Sequence, residues 1–205
     1  MSNNFGCDRS DAYWVDTIED DSDADKNIDG GDGDDEIIVH AGETSILGGG
    51  GDDTLTGGED NDRLTGGAGD DVIDGGDGND LIQGDVLLAP YEGANILNGG
   101  GGADHIVSTA GSDQIDGGDG DDWIDIHFSL PSFAISGGAG NDVIDISRLP
   151  HGIVDVALDR AEGHHMVLRG SGGPFDRGPS FVLDNSDRHR SARRSTSAQL
   201  RLASR

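Results

Sequence analysis

Residues 48–83 divide into four units of nine, GGGGDDTLT, GGEDNDRLT, GGAGDDVID and GGDGNDLIQ. Every unit has glycine at its first two positions, aspartate at its sixth and leucine or isoleucine at its eighth. A unit this short cannot bury its one apolar side chain by itself, so successive units have to stack and form a continuous core. The period therefore predicts a solenoid of turns and short strands.

The same period extends outward to Gly30 and Asp145, and it covers twelve units if two insertions, Gly84–Ala89 and Ile126–His127, are set aside. The units then begin at Gly30, Val39, Gly48, Gly57, Gly66, Gly75, Pro90, Gly99, Ser108, Gly117, Phe128 and Gly137. The eighth position is isoleucine or leucine in all twelve: Ile37, Ile46, Leu55, Leu64, Ile73, Ile82, Leu97, Ile106, Ile115, Ile124, Ile135 and Ile144. We predict that these side chains point inward and form the core.

The sixth position is the most regular polar position of the repeat. It is aspartate in nine of the twelve units, and Thr44, Asn95 and Phe133 are the exceptions. The fourth position is glycine in ten units, and seven units match the full pattern GGxGxD. Each unit is predicted to be a six-residue turn, whose glycines supply positive φ and close backbone approach, followed by three extended residues. Two units make one coil, and six coils make an all-β parallel β-roll about 30 Å long at about 4.8 Å per strand.

The pattern resembles the nonapeptide repeat of the repeats-in-toxin, or hemolysin-type calcium-binding, family. The resemblance covers residues 30–145, a little over half of the chain, and rests on the seven GGxGxD units. It implies a parallel β-roll, also called a β-helix or solenoid, in which Ca²⁺ lies between turns stacked on the same edge.

The donor chemistry of the turns favours the same cation independently. Ca²⁺ takes six to eight oxygens from carboxylates and backbone carbonyls, and no sulfur or imidazole side chain recurs in the repeat, which disfavours Zn²⁺ and Cu²⁺. The predicted carboxylate ligands are Asp35, Asp53, Asp62, Asp71, Asp80, Asp104, Asp113, Asp122 and Asp142. The predicted backbone ligands are Gly31, Gly33, Gly49, Gly51, Gly67, Gly69, Gly76, Gly78, Gly100, Gly102, Gly118, Gly120, Gly138 and Gly140.

Alternate units are expected on the same edge of the roll, so the sixth positions form two columns. The first edge carries Asp35, Asp53, Asp71, Asn95, Asp113 and Phe133, and the second carries Thr44, Asp62, Asp80, Asp104, Asp122 and Asp142. A strong site needs aspartate on two stacked neighbours, which predicts about six sites, most of them on the second edge. Sites that involve Asn95 should be weaker. This prediction requires both insertions to bulge outward without exchanging the edges.

Composition excludes several other classes of protein. The chain has 205 residues, 36 of them glycine, and its 41 acidic residues against 13 basic ones give a net charge of −28. Residues 1–145 hold 35 of the acidic residues and three basic ones, so the main body repels nucleic acid. Cys7 is the one cysteine, which excludes an internal disulfide framework. No apolar run approaches the about 20 residues of a membrane-spanning helix.

The flanking segments are predicted to cap the repeat. The predicted organisation is an acidic N-terminal cap over 1–29, the calcium-binding β-roll over 30–145, a C-terminal β cap over 146–184 and a basic disordered tail over 185–205. The predicted strands of the C-terminal cap are Ile153–Leu158, Met166–Leu168 and Ser180–Asp184. In the N-terminal cap, Ile28 keeps the eighth-position register, and Tyr13–Val15 are expected to cover the open end of the roll.

The sequence predicts a calcium-binding protein that folds when Ca²⁺ binds and is exported to calcium-rich surroundings. It has no N-terminal signal peptide, so export needs another route, such as type I machinery. Members of the resembling family usually carry a C-terminal signal for that route, and the Arg-rich C-terminus does not look like one. Motifs of serine hydrolases, zinc proteases and nucleotide-binding enzymes are absent, so we expect no catalytic activity. Two alternatives stay open: a fragment or accessory module of a larger secreted enzyme or toxin, and a structural adhesion or matrix protein.

Overall fold

The computed structural model describes residues 3–6, 17–20, 26–85, 93–109, 111–127, 132–146, 155–159, 165–170, 180–184 and 198–201. The regular elements in these ranges are β1 (Asn3–Gly6), β2 (Thr17–Asp20), β3 (Lys26–Asp32), β4 (Glu36–Val39), β5 (Thr44–Gly50), β6 (Thr54–Gly58), β7 (Arg63–Ala68), β8 (Val72–Asp77), β9 (Leu81–Asp85), β10 (Ile96–Gly101), β11 (His105–Ser108), β12 (Gln114–Asp116), β13 (Trp123–Ile126), β14 (Ser132–Ser136), β15 (Asn141–Ile146), β16 (Asp155–Asp159), β17 (His165–Gly170), β18 (Ser180–Asp184) and β19 (Ala198–Arg201). All of these elements are strands, and the described residues include no helix that is long and apolar enough to cross a membrane.

Successive strands alternate between two sheets. The odd-numbered strands from β1 to β17, followed by β18, form a ten-stranded sheet, and the even-numbered strands from β2 to β16, followed by β19, form a nine-stranded sheet. Neighbouring strands are parallel except at one end, where β18 pairs antiparallel with β17 and β19 pairs antiparallel with β16. Because each strand crosses to the other sheet before the chain returns, the chain winds as a parallel β-solenoid of about six turns, as predicted.

The eighth-position residues pair with one another in both sheets. In the ten-stranded sheet the column runs Ile28, Ile46, Leu64, Ile82, Ile106, Ile124 and Ile144. In the nine-stranded sheet it runs Ile37, Leu55, Ile73, Leu97, Ile115 and Ile135. All of these side chains are between 0 and 4% exposed and belong to one hydrophobic cluster. Both the inward position of these residues and the register of Ile28 are therefore confirmed.

The two insertions lie inside turns, later than the sequence suggested. Gly67 of β7 pairs with Asp85 of β9, so Gly84 and Asp85 occupy the first two positions of a unit and the extra residues fall between Asp85 and Gly93. The predicted insertion at Gly84–Ala89 and the predicted unit start at Pro90 are therefore wrong. Pairing with β7 of the preceding coil keeps these two residues in β9. The inserted residues therefore follow the end of that strand.

The second insertion follows the same rule. Ser108 of β11 pairs with Ile126 of β13, and the backbone N–H of His127 donates to the carbonyl oxygen of Ser108 at 2.9 Å. Ile126 therefore begins a unit, and the predicted unit start at Phe128 is wrong. Neither insertion exchanges the two edges, because the register on both sheets continues beyond them through β10 and β15.

The C-terminal strands close the two sheets. β17 and β18 include the predicted strands Met166–Leu168 and Ser180–Asp184, and β16 overlaps the predicted strand Ile153–Leu158. β19 lies within residues 185–205, for which the sequence predicts disorder, and it pairs with β16. The predicted cover of the N-terminal end by Tyr13–Val15 lies outside the described residues.

Candidate metal-binding turns

The glycines at the second and fourth positions hold the turns in a left-handed conformation. All fourteen of the predicted backbone ligands have φ between +82° and +150°. At Gly49, where φ is +124°, an added Cβ would collide with the backbone of Gly31 in the preceding coil. The predicted positive φ of these glycines is therefore confirmed, and it lets successive coils approach closely.

The sixth-position side chains form a hydrogen-bonded ladder along each edge of the roll. Each Oδ1 accepts the backbone N–H of the sixth residue one coil earlier. On the first edge these bonds run from Asp35 to Asp53 (2.8 Å), Asp53 to Asp71 (2.9 Å), Asp71 to Asn95 (2.8 Å) and Asn95 to Asp113 (2.9 Å). On the second they run from Thr44 to Asp62 (2.7 Å), Asp62 to Asp80 (2.8 Å), Asp80 to Asp104 (2.8 Å), Asp104 to Asp122 (2.9 Å) and Asp122 to Asp142 (3.1 Å). The predicted composition and order of both edges is thereby confirmed from Asp35 to Asp113 and from Thr44 to Asp142.

In five of these aspartates, the other carboxylate oxygen is buried and accepts no hydrogen bond. Oδ2 accepts no hydrogen bond in Asp53, Asp71, Asp80, Asp104 and Asp122, and these side chains are 1 to 2% exposed. A buried polar atom that forms no hydrogen bond costs about 1–3 kcal/mol, and more when it carries charge. Five equivalent atoms in one register therefore indicate a common positive partner.

A backbone carbonyl lies beside each of these oxygens. A Cβ placed on Gly57 would lie 2.5 Å from Oδ2 of Asp62 and 2.5 Å from the carbonyl oxygen of Gly75, which begins the unit one coil later. The same two distances hold at Gly117, with Asp122 and Gly137. We call this space the cradle: it adjoins a first-position glycine and is bounded by the sixth-position carboxylate of its own unit and the first-position carbonyl of the next coil.

Burial raises the pKa of several aspartates in the ladder. It raises the pKa of Asp53, Asp80 and Asp122 to about 7, and nearby carboxylates add to the shift while the backbone hydrogen bond to Oδ1 opposes it. Burial raises the pKa of Asp71 and Asp142 to about 6. Near neutral pH these carboxylates therefore need either a proton or a cation as a partner.

The donor set fits a hard cation. Each cradle presents a carboxylate oxygen and a carbonyl oxygen from successive coils. In the part of the chain that the structure describes, no three His, Cys, Asp or Glu side chains form a metal cluster, so further backbone oxygens would have to complete a ligand shell. Carboxylate and carbonyl oxygens together are the ligands of Ca²⁺. The residues that would hold it are the sixth-position aspartates and the glycine backbone of the turns.

Sequence reasoning missed two features of these turns. It treated the first-position glycines as conformational, whereas their carbonyl oxygens lie beside Oδ2 and their own φ is not positive. It also missed Asp85, which is 1% exposed and whose Oδ2 accepts from Nδ2 of Asn95 at 3.2 Å. Asp85 lay within the segment that was set aside as an insertion, so the period gave no signal for it.

Asp113 keeps its predicted place on the first edge but differs from the other predicted ligands. Its Oδ1 accepts from the backbone of Asn95 at 2.9 Å, like the rest of the ladder. Its Oδ2 accepts a short hydrogen bond from the hydroxyl of Ser108. Both oxygens of this carboxylate are therefore paired within the protein.

Comparison with known protein families agrees with this geometry. Residues 47–82, 91–125 and 134–145 match the family model described as RTX calcium-binding nonapeptide repeat (4 copies). Searches among curated proteins and among solved structures found no match to the chain. The fold and its turns define a β-roll repeat protein. These three segments are similar to RTX calcium-binding nonapeptide repeats, the repeat family that the sequence pattern resembles.

Proposed function

We propose that this protein binds Ca²⁺ in the stacked turns of both edges and that binding folds the β-roll. The observation that carries the proposal is the row of buried Oδ2 atoms, each next to the first-position carbonyl of the following coil. A cation in this position would pair oxygens of two coils at once, and so join successive turns.

Size and hydration favour Ca²⁺ over Mg²⁺ in such turns. The glycine-rich turns would have to complete the ligand shell with further backbone carbonyls, which suits the flexible coordination of Ca²⁺. Mg²⁺ demands near-octahedral geometry and retains its waters, so a ladder of largely buried oxygens accommodates it poorly.

Folding should depend on the cation because the roll concentrates negative charge. Residues 1–145 carry 35 acidic side chains, and the ladder brings some of them to successive coils of the same edge. A ligand that binds only the folded state stabilises it by mass action. The protein would therefore fold in surroundings with millimolar Ca²⁺, such as the outside of a cell, and stay unfolded at submicromolar Ca²⁺.

A binding role fits the pattern better than a catalytic one. The buried carboxylates recur at one position of successive turns, and each meets the same backbone groups. This repetition suits many equivalent ligands rather than a single reacting centre. We therefore propose that the chain is a calcium-dependent module for export and not an enzyme.

Direct counting of bound ions tests the proposal. In equilibrium dialysis at physiological salt, the full chain should bind several Ca²⁺ per molecule and far less Mg²⁺. Asp80→Asn should lower the Ca²⁺ number, whereas Asp29→Asn, an equal charge change at an exposed strand position, should not. If binding is weak, equal for both cations and equally sensitive to either substitution, the cations are attracted non-specifically by the net charge and the proposal is wrong.

A further inference from the structure

We infer that a turn takes a cation only if its first residue is glycine, and that Val39, Ser108 and Ile126 close their turns with their own side chains. This inference rests on the proposed calcium binding and specifies which turns perform it. Turns with a first-position glycine and a sixth-position aspartate are called open below, and the turns of these three residues are called closed.

Glycine is needed at the first position for space and not for backbone conformation. The left-handed glycines of the complete units stand at the second and fourth positions, and no first-position glycine has positive φ. Ser108 and Ile126 pair with each other at this position in β11 and β13, so the backbone there accepts a side chain. A side chain at the first position would fill the cradle, because an added Cβ would contact the aspartate Oδ2 and the carbonyl oxygen of the next coil.

The two buried aliphatic residues stand at the first position of units that lack the carboxylate. Val39 is 0% exposed and Ile126 is 1% exposed. The sixth positions of their units are Thr44 and Phe133. Thr44 turns its hydroxyl away to the carbonyl oxygen of Gly42 at 2.8 Å. A branched apolar side chain at the first position thus accompanies the loss of aspartate at the sixth, as expected if the two compete for one space.

Ser108 closes its turn by a different contact. Its side chain is small enough to coexist with Asp113, and its hydroxyl donates to Oδ2 of Asp113, the atom that accepts no hydrogen bond in Asp53, Asp71 and Asp80. Ser108 and Asp113 are each 2% exposed. The hydroxyl therefore takes the place of a cation at this carboxylate.

The neighbouring turn of Asn95 also lacks a free carboxylate oxygen. A Cβ on Gly84 would lie 2.7 Å from Nδ2 of Asn95. In this turn the cradle is therefore bounded by a hydrogen-bond donor, whereas in the open turns it is bounded by Oδ2 of an aspartate. The hydrogen bond from the backbone of Asp71 to Oδ1 fixes this orientation, and Nδ2 donates to Asp85 at 3.2 Å. The open turns of the first edge thus end at Asp71, while those of the second edge continue from Asp62 to Asp142.

A gain of binding tests the inference most sharply. The double variant Val39→Gly with Thr44→Asp recreates an open turn one coil before Gly57 and Asp62, with the register already set by the bond from Thr44 to Asp62. Equilibrium dialysis of the full chain against Ca²⁺ should show one more bound ion per molecule than the wild type. Thr44→Asp alone is the charge-matched control and should add none, because Val39 still fills the cradle.

The converse variant keeps every carboxylate. Gly75→Ala places a Cβ against Oδ2 of Asp80 and the carbonyl of Gly99, and it should remove at least one ion, while Gly50→Ala in a third position should remove none. If the double variant fails to fold in Ca²⁺, this pair decides the matter by itself.

The inference is overturned if Thr44→Asp alone gains an ion, if a folded double variant gains none, or if Gly75→Ala keeps the wild-type number. A wild type that binds no Ca²⁺ overturns the proposed function and the inference together, whereas a wild type that binds Ca²⁺ beside unresponsive variants overturns only the inference.

Discussion

The backbone N–H of Asp104 donates to Oδ1 of Asp122, one coil later on the same edge, at 2.9 Å. The N–H of Asp80 donates in the same way to Asp104 at 2.8 Å, so Asp104 links two neighbours of the ladder. Its Oδ2 is buried and accepts no hydrogen bond. Asp113 holds the same position on the other edge, but Ser108 occupies its Oδ2. Asp104 therefore represents an open turn and Asp113 a closed one.

Replacing these two residues should have unequal effects on binding. Asp104→Asn keeps an Oδ1 acceptor for Asp80 but removes the charged oxygen from an open turn, so it should cost about one or two bound ions. Asp113→Asn should leave the number of ions unchanged. Calorimetric titration of both variants with Ca²⁺ measures the difference. Equal losses, or a larger loss at Asp113, would mean that the distinction between open and closed turns is wrong.

The metal-free protein should become more stable as the pH falls. The pKa of Asp53, Asp80 and Asp122 rises from 3.8 to about 7 on folding. A raised pKa favours the folded state most below the unfolded value and loses that contribution as the pH rises through the folded value. In EDTA, the far-UV circular dichroism signal of β structure should therefore be larger near pH 4 than near pH 8.

Calcium reverses this dependence because protons and Ca²⁺ compete for the same oxygens. The number of ions bound at a fixed millimolar Ca²⁺ concentration should fall on acidification, in line with the requirement for deprotonated ligands. Equilibrium dialysis at several pH values measures it. A number of bound ions that is unchanged at about pH 3, below the ordinary pKa of aspartate, would contradict the assignment of the ladder carboxylates as ligands.

The glycine at position 49 should tolerate no side chain. Gly49→Ala forces a φ of +124° on alanine and drives Cβ into the backbone of Gly31, and we expect a loss of about 2 kcal/mol or more. The adjacent Gly50→Ala meets only Oδ1 of Asp32 at 3.6 Å and should change stability by less than about 0.5 kcal/mol. Guanidinium unfolding in saturating Ca²⁺ measures both, and similar losses would show that the close approach of the coils is unimportant.

The core column should be sensitive to truncation along its length. Leu64 is 0% exposed between Ile46 and Ile82, so Leu64→Ala should cost about 2–5 kcal/mol through lost burial and a cavity. Val72→Ala, on a side chain that is 41% exposed, should cost far less. Both are measured by denaturant unfolding in Ca²⁺. Comparable losses would argue against a core made of two eighth-position columns.

The period of nine was sufficient to predict the fold and both edges. One apolar residue per unit allows only one inward column per sheet, so the register of Ile46 with Leu64 follows from counting alone. The same counting paired Asp80 with Asp104 across an insertion, because that insertion lies within a turn and leaves the strands after it in step.

Counting could not locate the insertion or identify the closed turns. The start of the insertion is set by the backbone pairing of Gly67 with Asp85, and no residue type in the sequence marks that pairing. The contact between Ser108 and Asp113 is a single hydroxyl in one unit, and a repeat pattern averages over such features. Glycine at the first position looks the same in sequence as glycine at the second, although its role is to leave space.

The far-UV circular dichroism spectrum of the full chain in EDTA, followed by titration with Ca²⁺ to the millimolar range, tests the central claim most directly. If the buried Oδ2 atoms of Asp53, Asp80 and Asp122 need a cation, the protein at neutral pH should lack most of its β signal in EDTA and gain it cooperatively with Ca²⁺. Mg²⁺ at the same concentration should restore little of it. A complete β-roll spectrum in EDTA at neutral pH would contradict the account.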